Sequence, residues 1–323
     1  MKILSKTHST YPRVGNSSGQ QQLRRAYNQF DRGKISQNEL EQIINDTINT
    51  IIGEQLQSGC DFVTDGMIRY YDPISHLANR IKGCEVSGLL RFFDTNTYYR
   101  QPEFKALPEY DKPLVLPEIK FLQKSAEDKA SASLFGPYSF LKLSITGDLD
   151  FGTCLNGLAE IYAREIADLH KLGIELIQFE EPAITKYPGD IELMQAAYGK
   201  MLANVKPDDI MVALYFGDAS KLVGELEKLP VGGICFDFTY SRNLPSVLRG
   251  FSKRIGLGII DGRNTRLENP DELARHAEDI IKSASTDTFY ITTSCGLEYL
   301  PRNRAYDKLI LCATAAKLIK GNK

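Results

Sequence analysis

The stretch Leu176-Ile-Gln-Phe-Glu-Glu-Pro-Ala183 decides how this chain is read. An apolar run from Ile174 to Ile177 enters it from a helical segment, and it ends in two adjacent carboxylates, Glu180 and Glu181, followed by Pro182. Proline biases the residue before it away from helix and cannot donate to a sheet ladder, so a strand here must stop near Glu180. Carboxylates are almost never fully buried without partners. The strand therefore either reaches solvent or delivers acids to a cleft, and this segment alone leaves both readings open.

The same pattern recurs along the chain. Ile3–Thr7 runs into Ser9-Thr10-Tyr11-Pro12-Arg13-Val14-Gly15, a turn-forming stretch that sets Arg13 on a loop, and Asp61–Gly66 runs into a polar loop carrying Arg69. Ser131–Phe135 ends at Gly136-Pro137-Tyr138-Ser139, Ile210–Tyr215 at Phe216-Gly217-Asp218, and Gly233–Phe236 at Asp237. Ile255–Ile260 ends at Asp261-Gly262-Arg263-Asn264, and Thr288–Thr293 at Ser294-Cys295-Gly296. Helical spacing fills the intervals: Leu23–Phe30, Gln37–Leu56 with Ser36 as N-cap and Gly59 as stop, a segment running through Ile81, Leu155–Leu172, Lys221–Lys228, Leu244–Phe251, Pro270–Ala284 and Tyr306–Ile319. About forty residues, 84–128, lack a steady period and read as an inserted hairpin or lid. Alternating strands and helices imply a parallel sheet with helices outside, and about eight such units match a (β/α)8 barrel, that is, an α/β TIM barrel formed as one domain over residues 1–323. A doubly wound open sheet would advertise a Gly-rich phosphate loop after the first strand, and Tyr-Pro-Arg-Val-Gly-Asn is not one.

Composition is that of a globular protein able to bury a large core: 42% hydrophobic and 25% charged over 323 residues. A formal net charge of −2 gives no reason to expect nucleic acid or an acidic membrane as partner. No apolar run approaches the roughly 20 residues that span a bilayer. Met1-Lys2-Ile3-Leu4-Ser5-Lys6 lacks the apolar core of a signal peptide, so the expected location is the cytoplasm. The six cysteines show no Cys-x-x-Cys pair, which indicates neither a disulfide framework nor a zinc knuckle.

Residues just past the strands of such a barrel converge on one face. The convergent set is Arg13, Asp65, Arg69, Tyr138, Glu180, Glu181, Asp218, Asp237, Asp261, Arg263, Asn264 and Cys295. Acids together with arginines suit an amphoteric small molecule, because carboxylates hold an amine and guanidinium forks hold carboxylates. Asp218 and Asn264 are equally at home as turn formers, whereas a turn gains little from Arg13 or Arg263. Cys295 could be a nucleophile or a metal ligand. Cys–His catalysis looks poor, since His8, His76, His170 and His276 mostly sit on helical patterns, and a catalytic zinc needs about three protein ligands.

Several of these runs form longer motifs: Tyr215-Phe216-Gly217-Asp218, Leu229-Pro230-Val231-x-Gly233, Phe236-Asp237, Gly258-x-x-Asp261-Gly262-Arg263-Asn264 and Ser294-Cys295-x-Leu297. Tyr11-Pro12-Arg13-Val14-Gly15, Phe93-Asp94-Thr95-Asn96-x-Tyr98-Tyr99, Gly136-Pro137 and Gln178-x-Glu180-Glu181-Pro182-Ala183 join them. Together they resemble the N-terminal barrel of cobalamin-independent methionine synthase (MetE) over nearly the whole chain. In that family two barrels face each other. The C-terminal one holds homocysteine and a zinc ligated by a His-x-Cys pair, a Glu and a late Cys, while basic residues of the N-terminal one help hold a polyglutamylated methyl-folate.

This chain has a single barrel, similar to the short archaeal-type arrangement in which the halves are separate proteins. It reads Ala213-Leu214-Tyr215 where the catalytic barrel has His-x-Cys, Asp237 takes the place of the Glu, and only Cys295 matches the late Cys. Gln21-Gln22-Leu23-Arg24 replaces the family's Arg-Glu-Leu-Lys after the folate-tail motif. The resemblance implies a subunit of a split methionine synthase, acting with a zinc-bearing C-terminal-type barrel to transfer a methyl group from a methyl-folate-type donor to homocysteine. Glu180, Asp237 and Cys295 are assigned to the reaction site, and Arg13, Arg24, Asp65, Arg69, Glu181, Arg263 and Asn264 to ligand contact. No metal is expected on this chain. The alternatives are a stand-alone methyl- or alkyltransferase to a small thiol, with an unusual metal site at Cys295, Asp237 and Glu180, and a non-catalytic barrel that completes a partner's site.

Overall fold

A computed structural model describes residues 1–241 and 243–321. Seven parallel strands form one sheet: β1 (Lys2–Ser5), β4 (Ala132–Phe135), β5 (Ile177–Glu180), β6 (Ile210–Leu214), β7 (Gly233–Asp237), β8 (Arg254–Ile260) and β9 (Thr288–Thr293). Their order is β1-β9-β8-β7-β6-β5-β4. Residues 61–66 close the ring between β1 and β4 through parallel bridges Lys6–Phe62, Thr10–Gly66 and Val63–Ala130. The Thr7 amide donates to Phe62 O at 3.0 Å and the Ser131 amide to Val63 O at 2.9 Å. This segment bridges rather than forming a regular ladder because the buried Gln55 side chain takes both the Thr64 amide (3.1 Å) and its carbonyl (2.8 Å). The α/β barrel expected from the sequence is thus the fold.

Strands β4 to β7 are buried at every position, as parallel strands covered on both faces must be. The outer layer follows from amphipathic helices such as Gln37–Gln57, which begins with a capping box between Ser36 and Glu39 and buries Leu40, Ile44, Ile48 and Ile51. No described helix is long and apolar enough to cross a membrane.

The inserted segment differs from its expected bounds. A short helix, Pro73–Ala78, ends before Ile81, where the expected helix gives way to strand. An antiparallel hairpin then runs from β2 (Ile81–Arg91) to β3 (Tyr98–Tyr110). The remainder, Leu116–Ala126, is not lid but a barrel helix burying Leu116, Ile119, Leu122 and Ala126. Those positions do carry helical spacing, which the Tyr-, Pro- and Glu-rich passage before them obscured. The expected helices Lys221–Lys228 and Leu244–Phe251 shrink to single turns, Val223–Leu226 (after a 3-10 turn) and Leu244–Val247, while Ile191–Met201 is a helix the periodicity did not announce.

The return from hairpin to barrel hangs on one side chain. Buried Glu165, on the helix Phe151–Lys171, accepts from the amides of Leu114 (2.8 Å), Val115 (2.8 Å) and Leu116 (2.7 Å). Glu165→Ala strands three buried N–H groups, and urea unfolding should show a loss of about 3 kcal/mol or more, each orphaned donor costing roughly 1–3 kcal/mol. An unchanged midpoint would show that the return does not depend on this carboxylate.

Candidate active site

The strand ends open onto a cleft of about 350 Å³ roofed by the hairpin. Its floor is Glu180, at the end of β5. Glu180 accepts from Tyr215 Oη at 2.5 Å and from Ser133 Oγ at 3.1 Å. Behind it, the buried Lys6 ammonium donates to Gln178 Oε1 at 2.5 Å, and Gln178 Nε2 donates to His8 O at 2.8 Å. Burial pushes the Glu180 carboxyl up, against the hydroxyl donors and the charge of Lys6 that hold it down. The same burial draws the Lys6 ammonium down, and with Lys6 beside it holds His8 well below its usual range, as a neutral imidazole.

Beside Glu180 lie Glu298, Thr10 and Arg13. Glu298 Oε2 and Thr10 Oγ1 are buried without a hydrogen-bond partner among the described residues. Both fill the space that a Cβ on Gly296 would need, so a side chain there would displace one or both of them. Desolvation raises the Glu298 carboxyl to about 7. Arg13 donates to Tyr71 O at 3.0 Å and faces the cleft from the loop after β1.

The roof is aromatic. Phe92 meets Phe135 edge-on at 5.8 Å and Phe216 at 6.0 Å, and Phe93 meets Phe216 at 5.8 Å. Met67 (φ 55°), Phe93 (φ 49°) and Phe216 (φ 63°) all adopt the left-handed backbone region at this mouth, a conformation costly for such side chains that persists where surrounding packing over-determines it. Polar contacts latch the hairpin tip: Arg263 Nη1 lies 3.2 Å from Asp94 Oδ1, and Tyr240 Oη donates to Asp94 Oδ2 at 3.0 Å.

Of the residues picked out in the sequence, Arg13 and Glu180 line this cleft together. The others lie elsewhere or have their polar atoms engaged. Glu181 is fully buried beneath the floor, accepting from the amides of Tyr138 (3.2 Å) and Ser139 (2.6 Å) and from Tyr198 Oη (3.0 Å), with its carboxyl raised to about 7 by burial. Asp237 accepts from Thr239 N and Oγ1 at 2.9 and 2.6 Å and from the amides of Tyr240 and Phe216 at 3.3 Å, which shapes the turn after β7. Asp65 is buried, with one oxygen on the Met67 amide at 3.2 Å, and desolvation raises it to about 6. Arg69 pairs with Glu41 and Asn45 outside the cleft. Arg24 is exposed on the helix Gln22–Asp31, and Arg263 serves the latch. Asn264 Oδ1 accepts from the Arg266 amide at 2.9 Å as a turn former. Cys295 is buried, its thiol donating to Gly296 O at 3.4 Å and held protonated by desolvation.

Sequence reasoning missed Glu298, Thr10, Tyr215, Phe92 and the Lys6–Gln178 support. Tyr215 stood in a quoted motif without a role. Glu298 follows the last strand by several residues, where no spacing rule points.

A model of the cobalamin-independent synthase N-terminal domain matches residues 76–285. This chain belongs to the cobalamin-independent synthase family. Curated relatives named methionine synthase agree: that of Sulfurisphaera tokodaii is 28% identical over 315 residues, 95% of this chain and 91% of that one. One from Saccharolobus islandicus is 29% identical over 317 residues, 95% and 93% of the two chains. Among solved structures, a B12-independent methionine synthase from Shewanella sp. W3-18-1 in complex with selenomethionine superposes with a TM-score of 0.81 at 18% identity, covering 100% of this chain and 99% of that one. A putative vitamin-B12-independent methionine synthase from Listeria monocytogenes gives 0.75 at 19%, covering 99% of each. At those identities the likeness speaks for the fold.

The family's zinc does not fit the residues present. Tyr215 is committed to Glu180, Asp237 is occupied by four donors, and Cys295 is a buried, protonated thiol. A zinc ligand must be deprotonated and free to turn toward the metal.

The raised carboxyls set a pH signature. A buried acid whose folded pKa exceeds its unfolded value binds more protons when folded, so stability falls as pH rises through the interval, here from about 4.5 to about 7 for Glu298. Thermal melts of the wild type should decline across that window. Glu298→Gln should flatten the decline and melt higher than the wild type near neutral pH, and parallel profiles for the two proteins would contradict it.

Proposed function

We propose that this chain serves methionine synthesis, taking part in methyl transfer to the thiol of homocysteine. Membership of the cobalamin-independent synthase family and relatives of nearly equal span named methionine synthase support the reaction. The observation that carries the reading is the roofed cleft, in which Arg13 faces Glu180 and Glu298 beneath an aromatic hairpin, a charge pattern complementary to an amphoteric small molecule. Such a site positions its ligand and keeps water from the reacting methyl group.

In this reading the chain is one half of a split enzyme located in the cytoplasm. A zinc-bearing barrel of the C-terminal type presents the thiol, and this chain holds the methyl donor, of methyl-folate type in the family, and closes over it. Arg24 and Arg69 do not face the cleft, so the donor's anionic contact concentrates on Arg13. Stand-alone chemistry through Cys295 and Asp237 gains no support, because neither side chain is free to act.

The test mixes the purified chain with homocysteine and methyl donors, with and without a zinc-bearing barrel, and measures methionine. Methionine should form only in the mixture, and Arg13→Ala should raise the donor KM by about tenfold or more with a smaller change in kcat, as expected for loss of a charge-assisted contact. Equal methionine formation by this chain alone would sink the split-enzyme reading.

A further inference from the structure

The cleft is poor in cations for a site that holds an anionic donor. Three carboxylates line it, Asp72, Glu180 and Glu298, against the single guanidinium of Arg13. Asp72 is spent as the cap of the helix Pro73–Ala78, accepting from the amides of Ile74 and Ser75 and from Ser75 Oγ. Glu180 is supported by hydroxyls and by the charge of Lys6 behind it, and Glu298 Oε2 and the neighbouring Thr10 Oγ1 have no hydrogen-bond partner among the described residues. Around these acids stand the rings of Phe92, Phe135 and Tyr215. Carboxylates beside aromatic rings are complementary to a weakly hydrated organic cation, whose charge is attracted to the rings as well as to the acids. The volume of about 350 Å³ lies at the small end of the range for ligand pockets, roughly 300–1,000 Å³.

We propose that the methyl-bearing ligand of this cleft is a small zwitterion with a methylated sulfonium or ammonium centre, its carboxylate on Arg13 and its onium centre between the aromatic wall and Glu180 and Glu298. This rests on the methyl-transfer reading above. In the transfer, the bond from the methyl carbon to the onium sulfur or nitrogen breaks and its electron pair stays with the departing sulfide or amine. A new C–S bond forms from the homocysteine thiolate, and the thiol proton goes to solvent. The leaving group departs with no charge at its former onium centre, so it loses its attraction to the acids.

Titration calorimetry on the full chain tests this with ligand pairs that differ in the onium charge: S-methylmethionine against methionine, and glycine betaine against its carbon isostere tert-butylacetate. The onium member of each pair should bind at least about tenfold more tightly, as expected for a desolvated cation–π site. Glu298→Gln and Phe92→Leu, each checked for native circular dichroism, should cut that preference severalfold. Equal affinities within both pairs, or tighter binding of methyl-tetrahydrofolate than of either onium, would overturn the donor class and leave the methionine synthase reading standing. Failure of every donor to bind, the onium compounds and methyl-tetrahydrofolate alike, would overturn the reading that this chain holds the methyl donor.

Discussion

The barrel depends on how it keeps carboxylates at the ends of buried strands. An acid moved out of water is costly unless donors replace the lost hydration. Glu181 meets that requirement with two backbone amides at the start of the helix Pro137–Lys142, which precedes β5, and with the hydroxyl of Tyr198 on the helix Ile191–Met201 that follows it. Gly136 makes it possible, because a Cβ there would collide with the Glu181 carboxylate. Glu181 is therefore the tie that holds the turn after β4 against the turn after β5. Asp237, Asp72 and Glu165 do the same work at other turns.

With those turns fixed, the mouth of the barrel can hold groups that are not satisfied internally. Glu298 Oε2 and Thr10 Oγ1 lack hydrogen-bond partners among the described residues, and Met67, Phe93 and Phe216 carry costly backbone angles around the same opening. Unmet polar atoms and strain gather where a structure serves a ligand rather than its own stability. The contrast between Glu181, fully engaged, and Glu298, partly unengaged, separates the scaffold from the site more sharply than the residue types do.

The hairpin adds the second constraint. It is an insertion within the unit that begins at residues 61–66, and it reaches across the mouth to be held by the Arg263–Asp94–Tyr240 contacts and by rings packed on Phe216. Arg263, drawn from a strand-end loop, therefore acts on the lid. The cation expected to grip a ligand instead holds the roof over it.

Much of this was legible in the sequence. A strand such as Ile210–Leu214 announces itself because a parallel strand buried on both faces reads as a near-continuous apolar run, and alternation with helices then fixes the α/β barrel. That Glu180 and Arg13 belong to one cleft followed from the rule that strand ends converge. The sequence could not rank the two neighbouring acids, since Glu180 and Glu181 are chemically identical and point to opposite sides of a strand. Only the tertiary structure decides which meets backbone amides and which meets the cavity. Nor could spacing place Glu298, Thr10 and Phe92 together, because they come from three loops whose meeting depends on barrel closure and on the fold of the inserted hairpin. Local sequence determined the elements, which arise from interactions between near neighbours. The site arises from contacts between residues far apart in the chain, and those exist only once the barrel has closed.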